Sequence, residues 1–111
     1  MKTSEILSKA ADIIDERGWY QGHYMPWGAD RASCPVCALG AINVAAGFPP
    51  DGSPDESSDV AGPAGGAAAE LVLWLGGNFE IDHWNDAPGQ SAAVVVRELR
   101  ACAADLAEAG Q

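Results

Sequence analysis

Two cysteines three apart, in the stretch SCPVCALGAINVAAG at 33–47, are the residues best spaced for chemistry. Thiolates at that spacing form half of a structural zinc site, which takes four ligands, or a redox pair. For zinc, Cys34 and Cys37 need partners, and the chain offers His23, His83 and Cys102, with no second local pair. Closing a site with His23 and His83 requires two separate aromatic loops to converge. For redox work, a thiol at a helix N-terminus feels the positive end of the helix dipole, which favours the thiolate. No strand, helix, strand unit surrounds the pair. The structural reading makes Cys37 a packing residue on one helix face with Gly40, Ala41 and Val44, and puts Cys34 where the chain turns into the helix. Cys102 falls on the apolar stripe of the last helix, where a thiol behaves as a small hydrophobe.

A second cluster, Asp82, His83, Asn85 and Asp86, sits beside Trp84. Carboxylate and imidazole together suit a divalent metal or an acid and base, with His83 and Asp86 the pair for a small hydrolytic pocket. Asn85 and Asp86 followed by Pro88 and Gly89 equally suit a turn before a helix. The chain has no glycine-rich phosphate loop, no nucleophile elbow and no metalloprotease signature, so an enzyme has no positive support.

These residues must be positioned by helices. Ile6, Leu7, Ala10, Ile13 and Ile14 form one stripe at helical period, predicting a helix over about 4–17 with Thr3 or Ser4 as cap and Gly18 as terminator. Pro35 suits a first helical turn capped by Ser33 or Cys34, in a helix running to Ala46 and stopping at Gly47. The alanine run from Pro63 predicts a third helix, firmest over 67–75, although Gly65 and Gly66 weaken its start. Ser91 caps a long last helix whose Val95, Leu99, Cys102 and Leu106 recur at spacings of four, three and four. Between these run aromatic connectors, GWYQGHYMPWGADR at 18–31 and NFEIDHWNDAPGQ at 78–90, and a proline- and acid-rich loop at 48–63 expected to be flexible. The expectation is an all-α fold: one compact domain over 1–111, about four helices, aromatic-rich loops and one acidic loop.

Composition bounds the function classes. At 111 residues, one core suffices without disulfide or metal. Hydrophobic residues make up 48% and aromatics only 7%, so small side chains must bring helices close together. The net charge is −10, and residues 51–90 hold eight acids and no base. Such a surface repels nucleic acid and anionic membrane and attracts basic partners or divalent cations. No run approaches a membrane span, the N-terminus is no signal sequence, and three cysteines fit a reducing, cytoplasmic setting. Trp19, Tyr24, Trp27 and Trp84 either fill grooves between alanine-rich helices or, exposed, form a contact patch.

GWYQGHY, CALGAI and WNDAPGQSAAVV, in that order, resemble a family of small uncharacterised proteins of actinobacteria and their phages. The resemblance is carried by Gly18, Trp19, Gln21, Gly22 and Tyr24, by Cys37 to Ala41, and by Trp84, Asn85 and Asp86; Cys34 stands outside it. It implies a shared helical fold and no activity, and a host or regulatory protein in a bacterial or phage-infected cell as partner. The leading expectation is therefore a small acidic protein-interaction module without cofactor. Its contacts would be Trp19, Tyr24, Trp27 and Trp84 with Asp55, Glu56 and Asp59, and one version is an acidic DNA mimic that binds a basic nucleic-acid-binding protein. The alternative is a zinc or thiol-redox protein using Cys34 and Cys37. The target and the oligomeric state are not encoded in any recognisable motif.

Overall fold

The apolar stripes near the two ends of the chain dictate its two longest helices, and these pack on each other. In the computed structural model, which describes residues 1–51, 62–77 and 80–111, they are α1 (Thr3–Arg17) and α5 (Ala92–Glu108). Ile6, Leu7, Ile13 and Ile14 of α1 and Val95, Leu99, Cys102 and Leu106 of α5 are all buried. Outside the apolar contact, Arg100 reaches across to Asp12 and Asp15 at 3.0 and 2.8 Å. Between these helices in sequence lie α2 (Ala38–Ala45), α3 (Gly62–Trp74) and a single turn, α4 (Ile81–Asn85). The described residues thus form an all-α fold of five helices, and none of these helices is long and apolar enough to cross a membrane. Helix α2 packs on α1, α3 leans on both, and α4 touches α2 and α3.

The ends of the helices follow local chemistry with two corrections. The first concerns the start of α1: neither Thr3 nor Ser4 caps it. Lys2 occupies that position, and the Glu5 carboxylate accepts its backbone N–H at 2.8 Å. Ser4 is buried, and its backbone N–H is directed to the Gln111 carbonyl at 3.3 Å, which ties the two chain ends together. Gly18, at φ 99°, ends α1 as expected, and Ser91 caps α5 by accepting the Val94 N–H at 3.2 Å.

The second correction is that Pro35 does not open α2. The helix begins three residues later, with Cys37 as its cap. Residues 35–37 are instead drawn out beside the first aromatic loop: Tyr20 N–H donates to the Val36 carbonyl at 3.0 Å and Val36 N–H to the Gly18 carbonyl at 3.2 Å. That pairing, a single parallel bridge between Trp19 and Val36, satisfies backbone groups that a longer helix would have taken. Connector 78–90 also differs from expectation, because Ile81 buries its side chain and α4 forms where only a loop was read.

The acidic loop lies mostly outside the described residues, and Asp55, Glu56 and Asp59 with it. Its first residues are anchored rather than loose: Pro50 is buried, its carbonyl accepts from Asn43 Nδ2 at 2.9 Å, and Asp51 pairs with Arg31 at 2.8 Å.

Gly40 lets the first aromatic loop approach α2 closely. A Cβ on Gly40 would stand 2.8 Å from the Tyr24 carbonyl oxygen, a backbone atom that cannot swing aside. Gly66, inside α3, faces open space. Gly40→Ala should therefore destabilise the fold by about 1–3 kcal/mol through overpacking, while Gly66→Ala should stabilise it by about 0.5–1 kcal/mol through helix propensity. Urea unfolding of the two variants checks both signs.

Candidate functional site

The three sequence motifs converge on one side chain, Asn85, which is completely buried. Its Oδ1 accepts the indole N–H of Trp19 at 2.7 Å and the backbone N–H of Ala38 at 2.9 Å. Its Nδ2 donates to the Tyr20 carbonyl and to Asp86 Oδ1, each at 3.0 Å. An amide has two acceptor positions and two donor hydrogens, so Asn85 is fully satisfied. Around it, Asp86 Oδ1 also accepts the Gly22 N–H at 2.9 Å, and Gln21 Nε2 donates to the Asn85 carbonyl at 3.2 Å. Cys37 N–H donates to the Tyr24 carbonyl at 3.2 Å. The first loop, the start of α2 and the end of α4 are thereby locked to one another.

Beside this junction lies a recess of about 100 Å³ lined by Gly22, His23, Tyr24, Cys37, Asp82 and Asp86. Cys37 caps α2, its Sγ accepting the Gly40 N–H at 3.3 Å. Burial pushes its thiol up to about 11, against the Gly40 and Leu39 N–H groups that favour the thiolate and with Asp86 adding to the rise. The helix N-terminus is therefore present as the redox reading requires, and desolvation outweighs it.

Asn85 and Asp86 serve the junction, and Asp82 lines the recess together with Asp86. Asp82 and His83 also gather with Glu80, a residue the sequence does not single out; the ligating atoms of the three all lie within 4.8 Å of one another, and all three side chains are exposed. The signal was Glu80 at the cap position, which puts carboxylate, carboxylate and imidazole on one short turn. His83 does not line the recess that holds Asp86.

The sulfur set is not brought together. No three of Cys34, Cys37, Cys102, His23 and His83 gather their ligating atoms within 4.8 Å. Cys34 and Cys37 are buried and free, whereas His23 and His83 are exposed. Cys102, on α5, directs its thiol toward the Glu70 carbonyl at 3.8 Å.

The aromatic residues also part company. Trp19, Tyr24 and Trp84 are half-buried against the core. Trp27 is 94% exposed. A further aromatic that the motifs did not single out, Trp74 on α3, is 41% exposed beside Leu73 at 67%.

The chain matches a family of unknown function, DUF6197, over residues 1–105. It belongs to that family. The match spans the junction, the first four helices and α5 as far as Asp105, so the three motifs that meet at Asn85 lie within the family's extent. No curated protein and no solved structure matches the chain.

Truncating the hub tests its weight. Asn85→Ala leaves the Trp19 indole and the Ala38 N–H buried without an acceptor and should cost roughly 2–4 kcal/mol in urea unfolding. Asn85→Asp keeps the acceptor but turns a donor toward Tyr20 O and Asp86 into a second anion. Its loss of stability should be larger at neutral pH and should ease as the pH falls, because protonating the introduced carboxyl restores a donor. The thiols give a separate check. With a thiol held up to about 11, Cys37 should resist alkylation in the native protein at pH 8, react faster as the pH is raised, and react fully in denaturant. Equal rates with and without denaturant would contradict its burial.

Proposed function

We propose that this domain is a protein-interaction module that presents Trp27 to another protein. The observation that carries the reading is an indole held 94% exposed on a loop whose other parts are fastened down. On one side Met25 is buried. On the other, Ala29 N–H closes a turn on the Pro26 carbonyl at 3.2 Å. Asp30 then accepts from the Ala32 N–H at 3.1 Å and the Ser33 hydroxyl at 3.0 Å. Those bonds, the backbone one first, hold its carboxyl below the usual range.

The Arg31–Asp51 pair fixes the same loop to the chain beyond α2, and Arg17 donates to the Arg31 carbonyl at 3.0 Å. A recess of about 420 Å³ beside the indole is lined by residues that include His23, Met25, Arg31 and Asp51. A loop backbone fastened before its partner arrives loses little conformational entropy on binding, and tryptophan is among the residues that most often dominate interface energies.

The charge supports a basic partner. Arg31, Arg97 and Arg100 already pair with carboxylates of the chain, while the whole carries −10. Three buried, free thiols suit the reducing interior of a cell, where we place the domain. Burial holds the Cys37 thiol up to about 11, which leaves little thiolate for the redox alternative at neutral pH, and no three of Cys34, Cys37, Cys102, His23 and His83 gather as the zinc alternative needs.

Trp27→Ala removes a side chain with little of its surface buried, so the melting temperature should stay unchanged. When wild-type and variant domains are used side by side as bait in an extract of the source organism, a partner retained by the wild type should be lost from the variant. Equal retention by both would contradict the role given to Trp27.

A further inference from the structure

The strongest unassigned surface lies where the second half of α3 meets α5. Glu70, Leu73 and Trp74 stand at helical spacing on one wall of a recess of about 330 Å³, and Cys102, Asp105 and Leu106 form the other. Leu73 is 67% and Trp74 41% exposed. Trp74 is not loose: its indole N–H donates to Glu98 Oε2 at 2.9 Å, which joins α3 to α5 and sets the ring orientation.

Acids frame the apolar wall. Glu70 and Asp105 line the recess and Glu98 stands at its edge, and no base lines it. Arg97, the base nearest in sequence, pairs with Glu98 at 3.4 Å from outside the lining. The carboxylates bear on one point, because after burial the charges of Glu70, Asp105 and Glu98 push the Cys102 thiol up to about 11.

We infer that this α3–α5 groove docks a basic amphipathic segment of another protein, whose apolar anchors cover Leu73 and Trp74 and whose cations meet Glu70, Glu98 and Asp105. The inference rests on the reading of the domain as an interaction module and adds the chemistry of one partner segment. Apolar side chains ringed by one sign of charge select an occupant of the opposite sign by repelling all others. A second copy of the chain, at −10, would bring acid against acid. The chain's own stretch 52–61 carries three acids and no base and fails for the same reason. The i, i+3, i+4 spacing of Glu70, Leu73 and Trp74 suits a helix laid along the groove.

The test uses the full chain and two synthetic peptides patterned as amphipathic helices, one of leucine and lysine and one of leucine and glutamate, with binding followed by fluorescence anisotropy. The lysine peptide should bind and the glutamate peptide should not. Leu73→Ser and Trp74→Ala should each weaken binding by about tenfold or more, and Glu70→Gln with Asp105→Asn should flatten its salt dependence. Leu73 is the safer site for folding, since most of its surface is already in water. Trp27→Ala should bind the lysine peptide as the wild type does. Absence of binding, or undiminished binding by Leu73→Ser and Trp74→Ala, would overturn the assignment. Loss of binding in Trp27→Ala alone would overturn it too, while leaving the interaction-module reading intact, because that reading is judged by retention of a partner through Trp27.

Discussion

A single buried amide governs this fold. Asn85 is completely out of water, where each unmet hydrogen-bonding group costs on the order of 1–3 kcal/mol, and it meets all four of its own requirements with groups from three separate segments. No other side chain does this in the same space. Aspartate lacks the donors, leucine lacks both functions, and glutamine places its amide one methylene further from the backbone than these four partners require. The bonds run to Trp19, Tyr20 and Ala38. One residue thereby determines where the loop after α1 lies, where α2 starts and how α4 is oriented.

Much else follows from that constraint. Because residues 18–24 are held against 36–37, the Tyr24 carbonyl comes so close to α2 that only glycine fits at position 40. Because Cys37 is the cap of α2, its thiol faces the Gly40 N–H and lies out of water, which pushes it up to about 11. The same anchoring lets the next stretch of loop carry Trp27 outward without losing order. The three half-buried rings pack against the core, and among the described residues the large apolar side chains left exposed are Met1, Trp27, Leu73 and Trp74.

What could be read from the sequence was local. The stripe of α1, the Ser91 cap of α5 and the stop of α1 at Gly18 are short-range chemistry and stand as expected. The start of α2 is misplaced by a purely local reading because the competing partner of Val36 is Trp19, far back in the chain. Helix α4 is only one turn, too short for a period to emerge, and its Asn85 and Asp86 carry the composition of a turn.

Asn85 was visible as part of a polar cluster, yet its neighbours in sequence, Asp82 and His83, are not its partners in space; Trp19 and Ala38 are. Which of four clustered aromatic residues would stand in water was likewise invisible, since the Trp19 indole is received by an asparagine far along the chain while Trp27 stands exposed.

Hydrogen exchange at the indole nitrogens, followed by NMR, addresses the Asn85 junction most directly. If Asn85 Oδ1 holds Trp19, the Trp19 indole proton and the Ala38 amide should exchange together and only through global unfolding, while the Trp27 indole proton exchanges at the rate of a free side chain. A Trp19 indole proton exchanging as fast as that of Trp27 would contradict the account.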